Sequence, residues 1–287
     1  MTVDKELLLS PMFIVGAPRS GTTWLQNLLL ESQYIFGGQE SHFYSLFYPA
    51  FSSVLDTTDR RGIGLSSYWT HERFNEQMRE VWINTFASLC EPQSRLLLEK
   101  TPFHALYIDK ITEFLPKSKF IHLIRDSRSV TASLLAASKS WGDYWAPNDT
   151  KKAALEWYRH VKYARASKTA EDSSRYMEIH YEDLLSNPLS NLLKIYEFAG
   201  LPIDEIELQN SITNQSFKMN KKDGARIPGK KDIGKKEPEG FLRKGSSEAW
   251  RQDLNWYQKA IVWRYTRKLM SEVGYNWQGR SSNVESV

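Results

Sequence analysis

The chain has 287 residues, 41% hydrophobic and 25% charged, with 15 Gly and 11 Pro, a composition that excludes disorder, collagen-like repeats and low-complexity architecture. The length allows one large α/β domain or two small ones, at roughly 150 residues per domain, and the single cysteine, Cys90, excludes an internal disulfide and fits a reducing compartment. The net charge of +4 is concentrated: residues 218 to 244 hold ten Lys or Arg against four acids, a local excess of +6 that leaves about −2 elsewhere. Such a run is either a solvated loop or a surface for a polyanion or a phosphorylated ligand.

The amino terminus carries no basic stretch ahead of its apolar residues, which Ser10 and Pro11 interrupt. No run approaches about 18 apolar residues, so neither a signal peptide nor a membrane span is expected, and a cytoplasmic location follows. Met12 to Val15 is a short apolar strand signal. It leads at once into Gly16-Ala-Pro-Arg-Ser-Gly and then a helical stretch with Trp24, Leu25, Leu28 and Leu29 on one face. Leu96 to Leu98 reads as a second strand ending in Glu-Lys-Thr-Pro. Phe120 to Ile124 reads as a third, running into Arg-Asp-Ser-Arg and a helix, and Tyr176 to His180 as a fourth, before Tyr-Glu-Asp-Leu.

Helical patterns lie between and after these strands, at Ala154, Trp157, Tyr158, Val161 and Ala164, and at Leu192, Leu193, Tyr196 and Phe198. A last long helix is expected from Trp250, Leu254, Tyr257, Ile261, Tyr265 and Leu269, with Ser247 as N-cap and Gly274 as stop. The basic segment from about 214 to 245 precedes it, too long for a minimal connection. Its Gly residues and sparse apolar content predict a mobile lid ordered by a ligand. No repeat and no sharp shift in composition marks a boundary, so a single domain over residues 1–287 is expected. Short strands alternating with helices imply an α/β fold in three layers, with a central, mostly parallel β-sheet flanked by helices.

In such sheets ligands sit beyond the carboxyl ends of the strands. A Gly-rich turn opening a helix aims several backbone N–H groups and the positive helix end at one point, which suits a phosphate. The nucleoside triphosphate version has a Lys where this chain has Thr22, which argues against ATP or GTP hydrolysis.

Pro18, Arg19, Ser20, Gly21, Thr22, Thr23 and Trp24 resemble, one by one, the loop of the sulfotransferases that use 3′-phosphoadenosine 5′-phosphosulfate (PAPS). In that P-loop-like family the loop holds the 5′-phosphosulfate. Arg125 and Ser133, eight residues apart at a strand end and in the following helix, resemble the family pair that holds the 3′-phosphate. Arg243, Lys244 and Gly245 resemble the sequence that closes over that phosphate, with Glu248 and Ala249 standing where a Gly is often found before Trp250. The resemblance also implies adenine contacts for Trp24 and Tyr181, each of which has core packing as its other reading.

What the resemblance implies is transfer of a sulfuryl group from PAPS to a hydroxyl or amine acceptor, with release of 3′,5′-ADP (PAP) and no metal. Negative charge grows on the oxygen bridging phosphorus and sulfur, so nearby cations stabilise the transition state, and Arg19 and Lys100 are the candidates. The acceptor must lose a proton. Pro102 stands where cytosolic members carry a His, whereas Gly38-Gln39-Glu40 and Lys100-Thr101-Pro102-Phe103 are similar to the tyrosylprotein-type and bacterial members. Glu40 is therefore the expected base, with His42 and His104 as the other candidates.

The acceptor is a small molecule, a carbohydrate or a peptide, with no nucleic-acid partner expected; the 37 aromatic residues, including the stretch Trp141 to Trp145, could line its site or pack in the core. Two other readings are a P-loop phosphotransferase, which would need Mg²⁺ and the missing Lys, and a non-catalytic polyanion-binding module built on residues 218 to 244. The latter would bind steeply with salt and have no need of Arg19 or Glu40.

Overall fold

The structure is a computed structural model that describes residues 4–56, 64–167, 174–216 and 245–280. Five parallel strands, β1 (Met12–Val15), β2 (Ile35–Gly37), β3 (Leu96–Lys100), β4 (Lys119–Ile124) and β5 (Tyr176–His180), form one sheet in the order β2-β3-β1-β4-β5. Central β1 is apolar throughout because both of its faces are covered. Phe13 and Val15 point into one core cluster with Phe120 and Trp82, while Met12 and Ile14 point into another with Leu25, Leu98 and Leu123. Each such buried side chain contributes roughly 1.5–3 kcal/mol.

The helices are α1 (Lys5–Leu8), α2 (Thr22–Leu29), α3 (Tyr48–Asp56), α4 (His71–Phe86), α5 (Ile108–Phe114), α6 (Ser127–Ala137), α7 (Thr150–Ala166), α8 (Tyr181–Ser186), α9 (Pro188–Ala199) and α10 (Glu205–Asn214). Further on come α11 (Trp250–Asp253), α12 (Trp256–Glu272) and a hairpin of β6 (Tyr275–Asn276) and β7 (Gly279–Arg280). Helices α4 and α5 cover one face with the first cluster; α2, α9 and α10 cover the other with the second. This is the expected three-layer, P-loop-like α/β architecture.

Sequence expectation and structure part in three places. Strand β2 escapes the pattern because three residues are too few for a periodic signal; its Gly37 is required there, since a Cβ would lie 2.2 Å from the Leu98 carbonyl oxygen. The second strand runs on to Lys100, past the apolar Leu96 to Leu98. The last helix is broken: Leu254 is extended, and Asn255, not Ser247, caps α12 through a capping box with Gln258. Trp250 and Leu254 therefore pack in a separate small cluster with Ala132 and Val262. The segment 217–244, which holds most of the anticipated lid, lies outside the described residues.

Candidate active site

The chain leaves β1 toward β2 and β3 on one side and leaves β4 toward β5 on the other, so a crevice opens between the carboxyl ends of β1 and β4. The loop of residues 16–21 lines it. Gly16 has φ +154°, and a Cβ there would meet the Leu123 carbonyl oxygen at 2.5 Å. Arg19 holds a left-handed φ of +72°, a costly conformation for a residue with a Cβ. Gly21 (φ +97°) is the N-cap of α2 and offers no side-chain cap, so the first-turn N–H groups of α2 face the loop. The Ser20 hydroxyl is fully buried without a hydrogen-bond partner.

Across the crevice, Arg125 at the end of β4 donates to the Arg19 carbonyl oxygen (3.3 Å) and to the Ser246 carbonyl oxygen (3.0 Å), while its Nε is buried and unpartnered. Its guanidinium stacks 4.1 Å above the Tyr181 ring. Tyr181 in turn lies against the loop, close enough that a Cβ on Gly21 would sit 2.6 Å from its ring. The Trp157 indole fixes the Arg125 backbone by donating to its carbonyl oxygen (2.8 Å). Ser133, two turns into α6, is buried and accepts a bond from Arg19 Nε (3.1 Å). Trp24 meets Tyr181 edge-on at 5.8 Å and donates to the Gln215 carbonyl oxygen (3.0 Å). Arg19, Arg125, Ser133, Tyr181 and Trp24 thus form one cluster. Gly245 (φ +58°) adjoins it through Ser246, and Arg243 and Lys244 lie outside the described residues.

The second half of the site lies at the end of β3. Buried Lys100 donates to Glu40 Oε1 (2.6 Å) and to the Thr23 hydroxyl (3.3 Å), joining the end of β3, the start of α2 and the loop after β2. His42 Nε2 lies 3.5 Å from Glu40 Oε2. Burial pushes the Glu40 carboxyl up, but the hydrogen bond to His42 and the charge and hydrogen bond of Lys100 outweigh it and lower its pKa to about 2. His42 itself has φ +51° and its Nδ1 lies 3.0 Å from the Ser45 hydroxyl.

His104 is not in the cleft. It is fully buried, its Nδ1 bonds Glu99 Oε2 (2.9 Å), and its Nε2 accepts the Tyr44 N–H (3.2 Å), so neither ring nitrogen is left for a substrate. Glu99 also accepts from the Thr101 and Ser41 hydroxyls (2.6 and 2.7 Å). Burial pushes that carboxyl up, yet His104, Thr101 and Ser41 together hold it below the usual range. This hub ties the Ser41–Tyr44 backbone to β3 and so sets where Glu40 and His42 sit. Sequence reasoning passed it over, although a Glu inside the apolar strand Leu-Leu-Leu-Glu-Lys was a signal. Of the aromatic stretch, Trp141 lies under the Arg19 guanidinium (5.1 Å) and packs on Trp145 (5.5 Å), while Tyr144 is exposed.

The chain is similar to known proteins over most of its length. Residues 11–205, more than half of the chain, match the model of the sulfotransferase family. A putative protein-tyrosine sulfotransferase of Caenorhabditis briggsae is 25% identical over 195 residues, covering 66% of this chain and 65% of that protein. The chain spans 40 to 65% of the length of the first curated relatives it matches. The sulfotransferase domain of the Synechococcus olefin synthase superposes with a TM-score of 0.57 at 20% identity, covering 93% of this chain and 94% of that one. A mouse sulfotransferase complexed with PAP does so with a TM-score of 0.52 at 17% identity, covering 94% and 89%. With the family model spanning β1 to the start of α10 and so every strand of the sheet, the chain belongs to the sulfotransferase family.

Proposed function

We propose that the protein transfers a sulfuryl group from PAPS to a hydroxyl or amine acceptor and releases PAP. The observation that carries this reading is the pair of buried, unpartnered polar atoms, Ser20 Oγ and Arg125 Nε, on the two loops that flank the crevice. Buried polar groups are normally satisfied, and unmet donors of this kind suit an anionic ligand. In this reading the 16–24 loop and the start of α2 hold the 5′-phosphosulfate, and Arg125 and Ser133 hold the 3′-phosphate. Trp24 and Tyr181 contact the adenine; Gly245, with Arg243 and Lys244, closes over the 3′-phosphate.

PAPS supplies the activated sulfuryl group. Lys100 and Arg19 stabilise the charge that develops as that group departs, an electrostatic role that needs position more than covalent chemistry. Glu40 takes the acceptor's proton. While Lys100 is bonded to it, the Glu40 carboxylate is ionised but a weak base. A Lys100 drawn toward the transferring group would release it, coupling basicity to the presence of donor. Acceptors with a hydroxyl on a peptide, sugar or small molecule all fit this chemistry, and among the described residues no helix is long and apolar enough to cross a membrane.

Thermal shifts with PAP, 5′-AMP and ATP test the reading. PAP is expected to stabilise most, and Arg125→Ala to weaken PAP about tenfold or more while changing 5′-AMP little, because only PAP carries the 3′-phosphate. Equal shifts for PAP and 5′-AMP would remove the assignment, and a larger shift with ATP would favour phosphoryl transfer.

A further inference from the structure

The positive charge of this protein sits in two places, and the nucleotide site accounts for only one of them. Helix α7 carries Lys151, Lys152, Arg159, Lys162 and Arg165 against Glu156. Helix α12 carries Lys259, Arg264, Arg267 and Lys268 against Glu272. The two helices thus hold +7 and the 218–244 segment +6, so in a chain of net +4 all remaining residues sum to −9. Glu156, the acid of α7, is already paired with Arg159 (3.1 Å).

Most of these cationic residues are exposed on the outer sides of their helices, while Arg165 pairs with Glu178 (2.9 Å) and Lys259 bonds the Arg251 carbonyl oxygen (2.6 Å). The inner sides of α7 and α12 pack on each other through Trp157, Val161, Leu269 and Met270, which fixes their outer sides toward solvent. The outer faces meet where Lys151 Nζ sits 5.0 Å over the Tyr265 ring and Gln258 bonds the Thr150 hydroxyl (3.4 Å). On this face lie exposed apolar and aromatic side chains as well: Trp256 at 77% exposure, Tyr257 at 62%, Tyr163 at 55%, and Leu155 and Tyr265 at 39% each. One exposed aromatic needs no explanation, but five large apolar side chains interleaved with basic ones on two packed helices are a recognisable surface.

We propose that the paired outer faces of α7 and α12 form a docking surface for an anionic lipid bilayer. Basic side chains draw the face to acidic headgroups, and Trp and Tyr rings partition into the headgroup region, where one edge is apolar and the other wet. Charge alone would suit any polyanion; the exposed Trp256, Tyr257 and Leu155 favour a surface with an apolar layer beneath its charge. Docking of this kind leaves the chain peripheral and would bring the enzyme to acceptors held at a membrane. It stands whether or not the sulfuryl-transfer reading does.

Co-sedimentation of the full chain with phosphatidylcholine vesicles, with and without phosphatidylserine, tests the surface. Binding is expected only with the anionic lipid, weakening as salt rises. The double variant Lys152→Glu/Lys162→Glu should lower partitioning by about fivefold or more per residue changed. Trp256→Ser/Tyr257→Ser should lower it further at high salt, where the apolar contribution dominates. Circular dichroism and melting temperature establish that both variants fold; none of the four residues belongs to the proposed active site. No difference between the two vesicles overturns the proposal. So does binding that survives both variants, which would place it on residues 218–244. Tight binding of single-stranded RNA that is insensitive to Trp256→Ser/Tyr257→Ser, with weaker binding to vesicles, would identify a nucleic-acid surface instead.

Discussion

Lys100 and Glu40 are the residues on which the proposed reaction turns, and their contact (2.6 Å) helps hold the Glu40 carboxyl well below its usual range. Glu40→Gln keeps the size and an acceptor for Lys100 but removes the proposed base, so labelled-sulfate transfer should fall by about 10² to 10⁴ while PAP affinity is retained. The same variant has a pH signature. The Glu40 carboxyl is lowered from 4.5 to about 2, so it adds stability that is present above about pH 4.5 and is lost as pH falls toward 2. Melting temperature should therefore decline less steeply across that window in Glu40→Gln than in the unaltered protein. A variant with normal turnover would move the base role to His42, since His104 has both ring nitrogens engaged in the core.

At the level of single elements, α12 shows how a local signal outranks a periodic one. The apolar spacing through Trp250, Leu254 and Tyr257 suggests a continuous helix, yet Tyr257 is exposed and the buried face is Val262, Thr266, Leu269 and Met270. Asn255 starts a new helix because its side chain accepts the Gln258 N–H (2.9 Å) while the Gln258 side chain accepts the Asn255 N–H (3.0 Å), satisfying two groups that would otherwise be orphaned. Asn255→Ala should destabilise the protein by about 0.5–2 kcal/mol in urea titration, with protection from hydrogen exchange lost first in the opening turn of α12. Ser247→Ala, at the position the periodic pattern would favour as cap, should change little.

Across the whole molecule, Arg128 joins the carboxyl end of the sheet to the chain's last described segment, alongside the Tyr275–Glu182 and Arg280–Asp183 contacts. It is fully buried, holds Asp126 in a bidentate pair through Nε and Nη2 (2.9 and 2.6 Å), donates to the Asn276 and Trp277 carbonyl oxygens, and stacks 3.9 Å over Trp250. Arg128→Ala leaves Asp126 buried without its counter-charge, and stability should fall by roughly 3–5 kcal/mol, read by denaturant midpoint. Faster proteolysis around residues 245–280 should accompany it. Four of the five strands and the Gly-rich turn after β1 were legible in the chain alone, because each is a signal carried within a few residues: a short apolar run, or glycines that open a helix. What only tertiary structure decided is how polar groups are shared out among distant segments. Lys100 reaches Glu40 across 60 residues, Arg19 reaches Ser133 across 114, and His104, which reads as a free histidine beside Lys100, is consumed by Glu99 and the Tyr44 amide. A side chain's chemistry in the folded protein depends on which partners have already claimed its donors and acceptors, and those partners are chosen by strand order and packing rather than by sequence neighbours.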